Sequence, residues 1–439
     1  MKIVQAVGWY YPDSIGGTEV YVAELTRHLI SCGHEVFVAA PEPAVRQPRT
    51  YQFHDGLVFR YPVPEFATRE EAQGDAVVRG AEYLHRWLIE TRADVVHFHT
   101  FVTGLGLAEV LAAKRAGSRV IATTHSSSLG FLCQRGTLMW QGRTMCDGIV
   151  EPRRCAECEL EHRGAGPGVA RALAAVPAWL AGLARRLPGP VGTAMAMTDL
   201  IERNSLRQRV MLDAVDKFVV LTQRAADIVR ANGADAGKVV VNRLGVSESM
   251  SSRPRTEGRR HVRFGYVGRL DPIKGVLDLA DAIQRVPRDI PMHVEFRGPA
   301  QTQADRVTRA AIAARLSDDP RVSLAEAISP SSIPDVLGNY DVLCCPSRCL
   351  EGGPTSGLEA LAAGIPVIAA SVGGLAEVLE DGVNTRLVPP GDVGRLAAAL
   401  IEVASHPEET IDRWRERLPR PRTMREVARE YLALYGGQP

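Results

Sequence analysis

Two glutamates eight positions apart, Glu351 and Glu359, bracket Gly352-Gly353-Pro354-Thr355-Ser356-Gly357-Leu358 and lead into an alanine-rich run that stops at Gly364. The Gly- and Pro-bearing half reads as a loop and the remainder as a short helix. Glu351 therefore stands before the helix and Glu359 one to two turns into it. Carboxylates so placed can accept hydrogen bonds from two separate sets of sugar hydroxyls along one extended ligand. The first helical amides, at Thr355 and Ser356, suit a phosphate. A second constellation is Gly268-Arg269-Leu270-Asp271-Pro272-Ile273-Lys274-Gly275, directly after the apolar run Val262–Val267. A guanidinium fork and a compact ammonium this close together fit a diphosphate, although alone the segment reads equally as a solvated basic loop. The third is the loop from Gly8 to Thr18, containing Gly16-Gly17-Thr18-Glu19. Glycines let backbone N–H groups approach an anion closely, and an ordinary tight turn accounts for them too.

A different chemistry is spelled by Cys133, Cys146, Cys155 and Cys158, spaced C-x12-C-x8-C-x2-C. Four thiols ending in C-x-x-C, in a compartment that keeps thiols reduced, read as a tetrahedral thiolate site for a structural zinc ion. An iron–sulfur cluster and unligated or redox thiols are the alternatives. His162 is a substitute ligand or, more simply, a solvated surface histidine. Cys344, Cys345 and Cys349 read as buried small hydrophobes, with an exposed, oxidisable Cys349 as the other reading.

The elements that must position these groups follow from periodicity. Apolar runs at Lys2–Val7, Glu35–Ala40, Asp94–Phe98 and Arg119–Thr124 alternate with helical stretches such as Thr18–Cys32. A later series comprises Lys217–Leu221, Val239–Asn242, Val262–Val267, Met292–Phe296, Asp341–Cys345 and Pro366–Ala370. Alternation of this kind predicts an α/β fold of two Rossmann-like domains facing one another across a cleft, with ligands at the carboxyl ends of the strands. Ser249–Arg260 is polar and reads as a surface loop. From His162 to Thr198 there is no carboxylate. There Val169, Leu173, Val176, Leu180, Leu183 and Leu187 form one helical stripe that Pro177 should kink. That segment, 168–187, either lies on anionic lipid through its arginines or packs as a core seam on the N-terminal domain. The packed reading is preferred, since the stripe fits a seam equally well and holds only three arginines.

Composition removes whole classes of function. The chain has 439 residues, 45% hydrophobic and 23% charged, and 52 basic against 51 acidic side chains leave a net charge of +1. Such a balance offers nucleic acid no electrostatic footprint. No stretch reaches the roughly 18 uninterrupted apolar residues of a membrane span. The start lacks a secretory h-region, so the expected location is cytoplasmic, or peripheral at the inner membrane face.

Taken together, Gly16-Gly17, His97-Phe98-His99, Thr124-His125, Gly268-Arg269 with Lys274-Gly275, the Glu351…Glu359 spacing, and Gly373-Gly374 with Glu377 resemble glycosyltransferase family 4. Its members are retaining, sugar-nucleotide-dependent enzymes of the GT-B fold, and the match spans nearly the whole chain in the family's order. Cys133-Gln134-Arg135-Gly136 further resembles a subset with a four-cysteine insertion. The resemblance implies an acceptor-binding domain over 1–212 with the Cys-rich insertion at about 126–165. A nucleotide-sugar-binding domain follows over 213–419, and a C-terminal helix over 420–439 crosses back to the first domain. It also implies roles. Arg269 and Lys274 hold the donor diphosphate and offset its growing charge, so no divalent metal is needed there. Glu351 takes sugar hydroxyls near C3 and C4, and Glu359 those of the ribose. Gly16 and Gly17 bring amides to the diphosphate, and His125 reaches the C6 region. Gly268, Gly353, Thr355 and Ser356 line the donor pocket. Gly353 and Thr355 stand where relatives often carry a bulky apolar residue, which implies a wider or more polar pocket. His97 and His99 have less specific assignments, packing being preferred for at least one. The partners implied are a nucleoside diphosphate sugar and a hydroxyl acceptor, whether small molecule, glycan or lipid-linked. A sugar-nucleotide epimerase of the same fold and a non-catalytic sugar-nucleotide sensor are the rival readings.

Overall fold

The computed structural model describes residues 1–14, 16–43, 45–54, 56–248, 261–300, 302–329 and 332–436. The polar stretch Ser249–Arg260 lies outside the described residues. The chain forms two compact units: Met1–Gln141 with Met145–Arg243 and Met424–Pro439, and Gly142–Thr144 with Leu244–Thr423. Both are α/β with parallel sheets, the GT-B arrangement of two Rossmann-like domains.

The first unit is built on an eight-stranded sheet. Its strands are β1 (Lys2–Ala6), β2 (Glu35–Glu42), β3 (Arg49–Phe53), β4 (Gly56–Pro62), β5 (Val95–Phe98) and β6 (Arg119–Thr123). After the two-residue strands β7 (Met139–Trp140) and β8 (Thr144–Met145) come β9 (Lys217–Val220) and β10 (Val239–Val241). The order is β10-β9-β6-β5-β1-β2-β4-β3, parallel except for β3 against β4. Ile3 sits between Val36 and Val95, and both faces of β1 are covered, which is why the central strands read as continuous apolar runs. Strands β3 and β4 escaped the sequence reading because charged residues interrupt them. Arg60 of β4 is buried, donating to the Tyr10 carbonyl at 2.7 Å and pairing with Asp13 at 3.0 Å. The expected domain boundary at 212 falls too early. Strand β9 pairs with β6 and β10 with β9, so the first sheet runs on to Val241, and the unit ends at Arg243. The physical reason is that helix Met197–Ala214 is a crossover feeding the same sheet. The helix Met424–Tyr435 belongs to this first unit and buries Val427, Tyr431, Leu432 and Tyr435.

The second unit holds β11 (Val262–Val267), β12 (Met292–Arg297), β13 (Val322–Ala325), β14 (Val342–Cys345), β15 (Val367–Ala370) and β16 (Thr385–Val388). They run in the order β13-β12-β11-β14-β15-β16, all parallel. The order turns back between β11 and β14, and in open sheets the loops leaving that point form the ligand crevice. The corresponding reversal in the first sheet lies between β1 and β5.

The apolar stripe expected to pack inward does so only in part: Leu173 packs on the core of the first unit and Val176 and Leu180 are half-buried, whereas Val169, Leu183 and Leu187 are exposed. Residues 167–195 fold as three short helices, Pro167–Ala174, Ala178–Ala184 and Gly189–Met195, with a bend of 103° between the first two. Their inward faces are small: Ala170, Ala174, Ala181 and Ala184 are buried, the first two against Ala156, Leu160, Met197 and Ile201. Val169, Trp179, Leu183, Leu187 and Val191 face outward, Trp179 with 69% of its surface exposed. Pro177 caps the second helix and breaks the register, so side chains that look aligned in sequence are not aligned in space. No single helix among the described residues is long and apolar enough to cross a membrane.

Candidate functional site

The loops leaving β11 and β14 meet at the reversal point of the second sheet. After β11 the chain passes Gly268 and Arg269, whose carbonyl accepts from the Tyr266 hydroxyl at 2.6 Å. Asp271 then caps a single turn, Pro272–Lys274, by accepting from the Ile273 amide at 3.0 Å. Gly275 adopts φ +73°, and a methyl group there would fall 1.9 Å from the Pro346 carbonyl oxygen. Only glycine lets these two loops touch. The result is an ion pair: Lys274 Nζ lies 2.7 Å from Glu351 Oε1, which also accepts from Ser347 Oγ at 2.8 Å. Burial works against the Lys274 charge, but the adjacent Glu351 outweighs it and holds the ammonium above its ordinary range. Arg269, on the same loop, keeps 62% of its side chain exposed and stands 3.6 Å from Asp271. An exposed guanidinium beside a half-buried ammonium is a pair of cations ready for an anionic ligand.

Glu351 is held from below. Gly374 N donates to the Glu351 carbonyl at 2.9 Å, and a methyl group on Gly374 would fall 2.0 Å from the Gly352 carbonyl oxygen. The second Gly-Gly pair is thus a floor that the glutamate loop rests on. The helix Thr355–Ala362 starts after Pro354, so the amides of Thr355 and Ser356 lie in its first turn. Glu359, half-buried on that helix, has its carboxyl pushed up to about 7 by burial. Gly353 is buried at the loop's end. Cys344, Cys345 and Cys349 are all buried, so the exposed, oxidisable Cys349 is not realised. Its sulfur lies 3.5 Å from Glu351 Oε1.

In the first unit, Gly16 is the N-cap of the helix Gly17–Ser31. Glu19 is buried in its first turn and accepts from Ser14 Oγ at 2.6 Å, so an anion reaching this turn meets a carboxylate beside the amides. His125, after β6, is half-buried, and burial pushes its imidazole down to about 4. Its Nε2 lies 3.2 Å from Nδ1 of the fully buried His99. His97 is equally buried, so both histidines of the His97-Phe98-His99 run are interior side chains.

Residues 15–163 match the family described as Glycosyltransferase Family 4, and residues 261–406 that described as Glycosyl transferases group 1. The chain is 27% identical to the MMP alpha-(1->4)-mannosyltransferase of Mycolicibacterium hassiacum over 96% of its own length and 94% of that protein. It is 30% identical to the D-inositol 3-phosphate glycosyltransferase of Kribbella flavida over 46% of this chain and 51% of the relative. Among solved structures, sucrose-phosphate synthase from Thermosynechococcus elongatus superposes with a TM-score of 0.69 at 16% identity, covering 99% of this chain and 98% of the other. Anabaena HepE, solved with UDP and glucose, superposes at 0.65 with 14% identity and 99% of both chains. The protein is a glycosyltransferase.

The Cys-rich segment of this glycosyltransferase lines one cavity with its four cysteines. Cys133, Cys146, Cys155 and Cys158 all border a single cavity of about 40 Å³, with Arg135 and Arg154 on its walls. Backbone amides approach two of the sulfurs, Gly148 N to Cys146 at 3.4 Å and Gln141 N to Cys158 at 3.3 Å. Burial raises the Cys146 and Cys158 thiols, and Cys155 is pushed up to about 11. Among the described residues no three His, Cys, Asp or Glu stand close enough to hold a metal ion. His162 is exposed.

Sequence alone did not single out the side chains that hydrogen-bond around the candidate site residues: Ser347 and Tyr266 in the second unit, and Gln5, Thr123, Tyr431 and Tyr435 in the first. Gln5 carried a usable signal, since a polar residue inside a buried apolar strand needs a partner.

Proposed function

We propose that this glycosyltransferase moves a glycosyl group from a nucleoside diphosphate sugar to an acceptor hydroxyl, with retention at the anomeric carbon. The observation that carries the reading is the Lys274–Glu351 pair at the reversal point of the second sheet, with Arg269 on the adjoining loop. The bond from the anomeric carbon to the diphosphate oxygen breaks and a bond to the acceptor oxygen forms. The acceptor's proton passes to the departing phosphate. Arg269 and Lys274 stabilise the charge that grows on that leaving group and fill the place a divalent metal would otherwise take. Glu351 holds sugar hydroxyls, Glu359 ribose hydroxyls, and the amides at Gly16, Gly17, Gly268, Thr355 and Ser356 serve the phosphates, beside Gly353. His125 serves the sugar's C6 region. The relatives named as a mannosyltransferase and an inositol phosphate glycosyltransferase, and the solved HepE complex with UDP and glucose, support a nucleotide-sugar donor.

The test is a thermal-shift panel of nucleoside diphosphate sugars followed by turnover assays of Arg269→Ala and Glu351→Ala. The transferase reading expects turnover that requires an acceptor and falls steeply in both variants, with an α-configured donor giving an α-linked product by NMR. Turnover without acceptor would support the epimerase instead. Donor binding with no turnover in the parent protein would support the sensor.

Two further features belong to this reading. The outward apolar face of residues 167–195 supports contact with an anionic bilayer carrying a lipid-linked acceptor. Arg186 is exposed there, while Arg185 and Arg171 pair with Asp75 and Glu157. Co-sedimentation with phosphatidylglycerol vesicles, lost in a Trp179→Ala, Leu183→Ala double variant, tests it. The four cysteines bordering one cavity, with amides aimed at two sulfurs, support a structural zinc. Binding must draw the sulfurs inward from where they stand. Metal analysis of the purified chain expects one zinc per molecule, and iron or no metal at all would overturn it.

A further inference from the structure

Seven buried or half-buried side chains of the first unit form one continuous hydrogen-bonded series, of which the donor chemistry uses only His125. From His125 it runs through His99 at 3.2 Å to Gln5, where His99 Nε2 meets Oε1 at 2.6 Å. The Gln5 amide nitrogen then donates to the Tyr435 hydroxyl at 3.4 Å, and that hydroxyl lies 2.6 Å from His97 Nδ1. His97 Nε2 meets Thr123 Oγ1 at 2.7 Å, and Thr123 meets the Tyr431 hydroxyl at 2.9 Å. Two members, Tyr431 and Tyr435, come from the C-terminal helix, between 308 and 430 residues along the chain from the strand residues they touch.

Burial holds His97 and His99 well below the ordinary histidine range, so each is a neutral ring with one N–H and one lone pair. A neutral ring between two partners must choose which nitrogen carries the proton, and the partner's chemistry makes the choice. The orientation of the Gln5 amide decides the direction of the whole series. Its NH₂ faces Tyr435, so its carbonyl oxygen faces His99, and a carbonyl can only accept. His99 therefore carries its proton on Nε2, and its Nδ1 is a bare lone pair. The nitrogen facing that lone pair, Nε2 of His125, must be the donor.

We infer that Gln5 and Tyr435 are positioning residues that fix His125 as the Nε2–H tautomer, so that its Nδ1 acts toward substrate only as a hydrogen-bond acceptor. A sugar or acceptor hydroxyl at His125 must then donate its proton to the ring, so a fluoro substituent there cannot replace the hydroxyl. This consequence rests on the transferase reading above, whereas the tautomer itself does not. The reversed series, with the amide turned over, makes His125 Nδ1 a donor and is the competing arrangement.

The experiment is long-range ¹H–¹⁵N correlation on protein labelled with ¹⁵N-histidine at pH 7, three units above the value of about 4 at which His125 titrates. The expected result is a single Nε2–H tautomer of His125. An Nδ1–H tautomer, or a mixture of the two, overturns the inference. Tyr435→Phe removes the hydroxyl that orients Gln5. It should mix the tautomers and lower kcat about tenfold with KM little changed. Tyr431→Phe removes a hydroxyl from the same helix without touching Gln5, so it should cost similar thermal stability and leave tautomer and kcat as they were. If both variants lower kcat equally, or if Tyr435→Phe leaves the tautomer single, the positioning role fails. The NMR result stands apart from activity, so a chain that transfers no sugar still reports the tautomer.

Discussion

The loops around Lys274 and Glu351 and the histidine series behind His125 solve opposite problems. In the second unit, charges stand at a sheet edge with water still in reach: Lys274 is 28% exposed and Arg269 62%. In the first unit, polar groups are sealed in, and His97 and His99 are 0% exposed. A group that must take up a ligand's negative charge keeps its own charge, and it can do so only near water or beside a counter-ion. Lys274 does both, waiting on Glu351 until an anion arrives. A group that must offer one lone pair in one direction is better neutral and buried, where its partners leave it no choice. The two regions therefore differ in what a substitution should remove.

Lys274→Ala should separate them most sharply. It deletes leaving-group stabilisation and should lower kcat by about a thousandfold, the scale of removing one preorganised electrostatic contact. Thermal stability should change little, because Glu351 keeps Ser347 and access to water. His97→Ala is the mirror image. It leaves a cavity and takes one of two partners from each of the Tyr435 and Thr123 hydroxyls, so it should cost about 2–4 kcal/mol of stability. Denaturant titration and steady-state kinetics on both variants check the contrast. Equal losses of rate and stability in the two would erase it.

Gly374→Ala asks how firmly the exposed region is held. A methyl group 2.0 Å from the Gly352 carbonyl oxygen must lift the glutamate loop off its floor. Displacing Glu351 by the order of an ångström should lower kcat/KM about a hundredfold. The histidine resonances of the first unit should stay unchanged. If they move as well, the second unit's loop is not independent of the histidine series.

The same contrast explains what could be read from the chain in advance. The positions of Arg269, Lys274 and Glu351 were legible because each lies beside glycines or prolines after an apolar run, and that of Glu359 because Pro354 and Gly364 bracket its short helix. The strands at both sheet centres were legible as continuous apolar runs. Tyr431 and Tyr435 were not, since a tyrosine on an amphipathic helix looks like packing, and nothing local tells that its hydroxyl meets a strand residue 308 or more positions away. The inward direction of the stripe at residues 169–187 was right for Leu173 but wrong for Leu183 and Leu187, because a proline reset the helical phase between them. Strand β4 was missed because Arg60 looks external, although it is buried on the Tyr10 carbonyl and Asp13. Spacing fixes the neighbours of a residue only while one element continues, and contacts between distant elements leave no such trace.

Glu359 lies between the two regimes and gives the smallest effect. Burial lifts its carboxyl to about 7 from an ordinary value of 4.5. Below the ordinary value the acid is neutral in folded and unfolded chains alike, and it costs no stability. As pH rises from about 4.5 to 7 the unfolded chain gives up the proton first, so the stability of the ligand-free protein should fall across that window and level off above it. Ribose hydroxyls donate more strongly to a carboxylate than to a neutral acid. Affinity for a nucleoside diphosphate should therefore rise between pH 6 and 8, by no more than about tenfold, since the two protonation states differ by roughly one hydrogen bond's strength. Glu359→Gln, which never ionises, should flatten both curves: melting would lose its decline above pH 4.5, and calorimetric affinity would lose its rise. If the rise in affinity persists in Glu359→Gln, the ribose is held elsewhere, and this carboxyl belongs with the buried neutral groups rather than with Lys274 and Glu351.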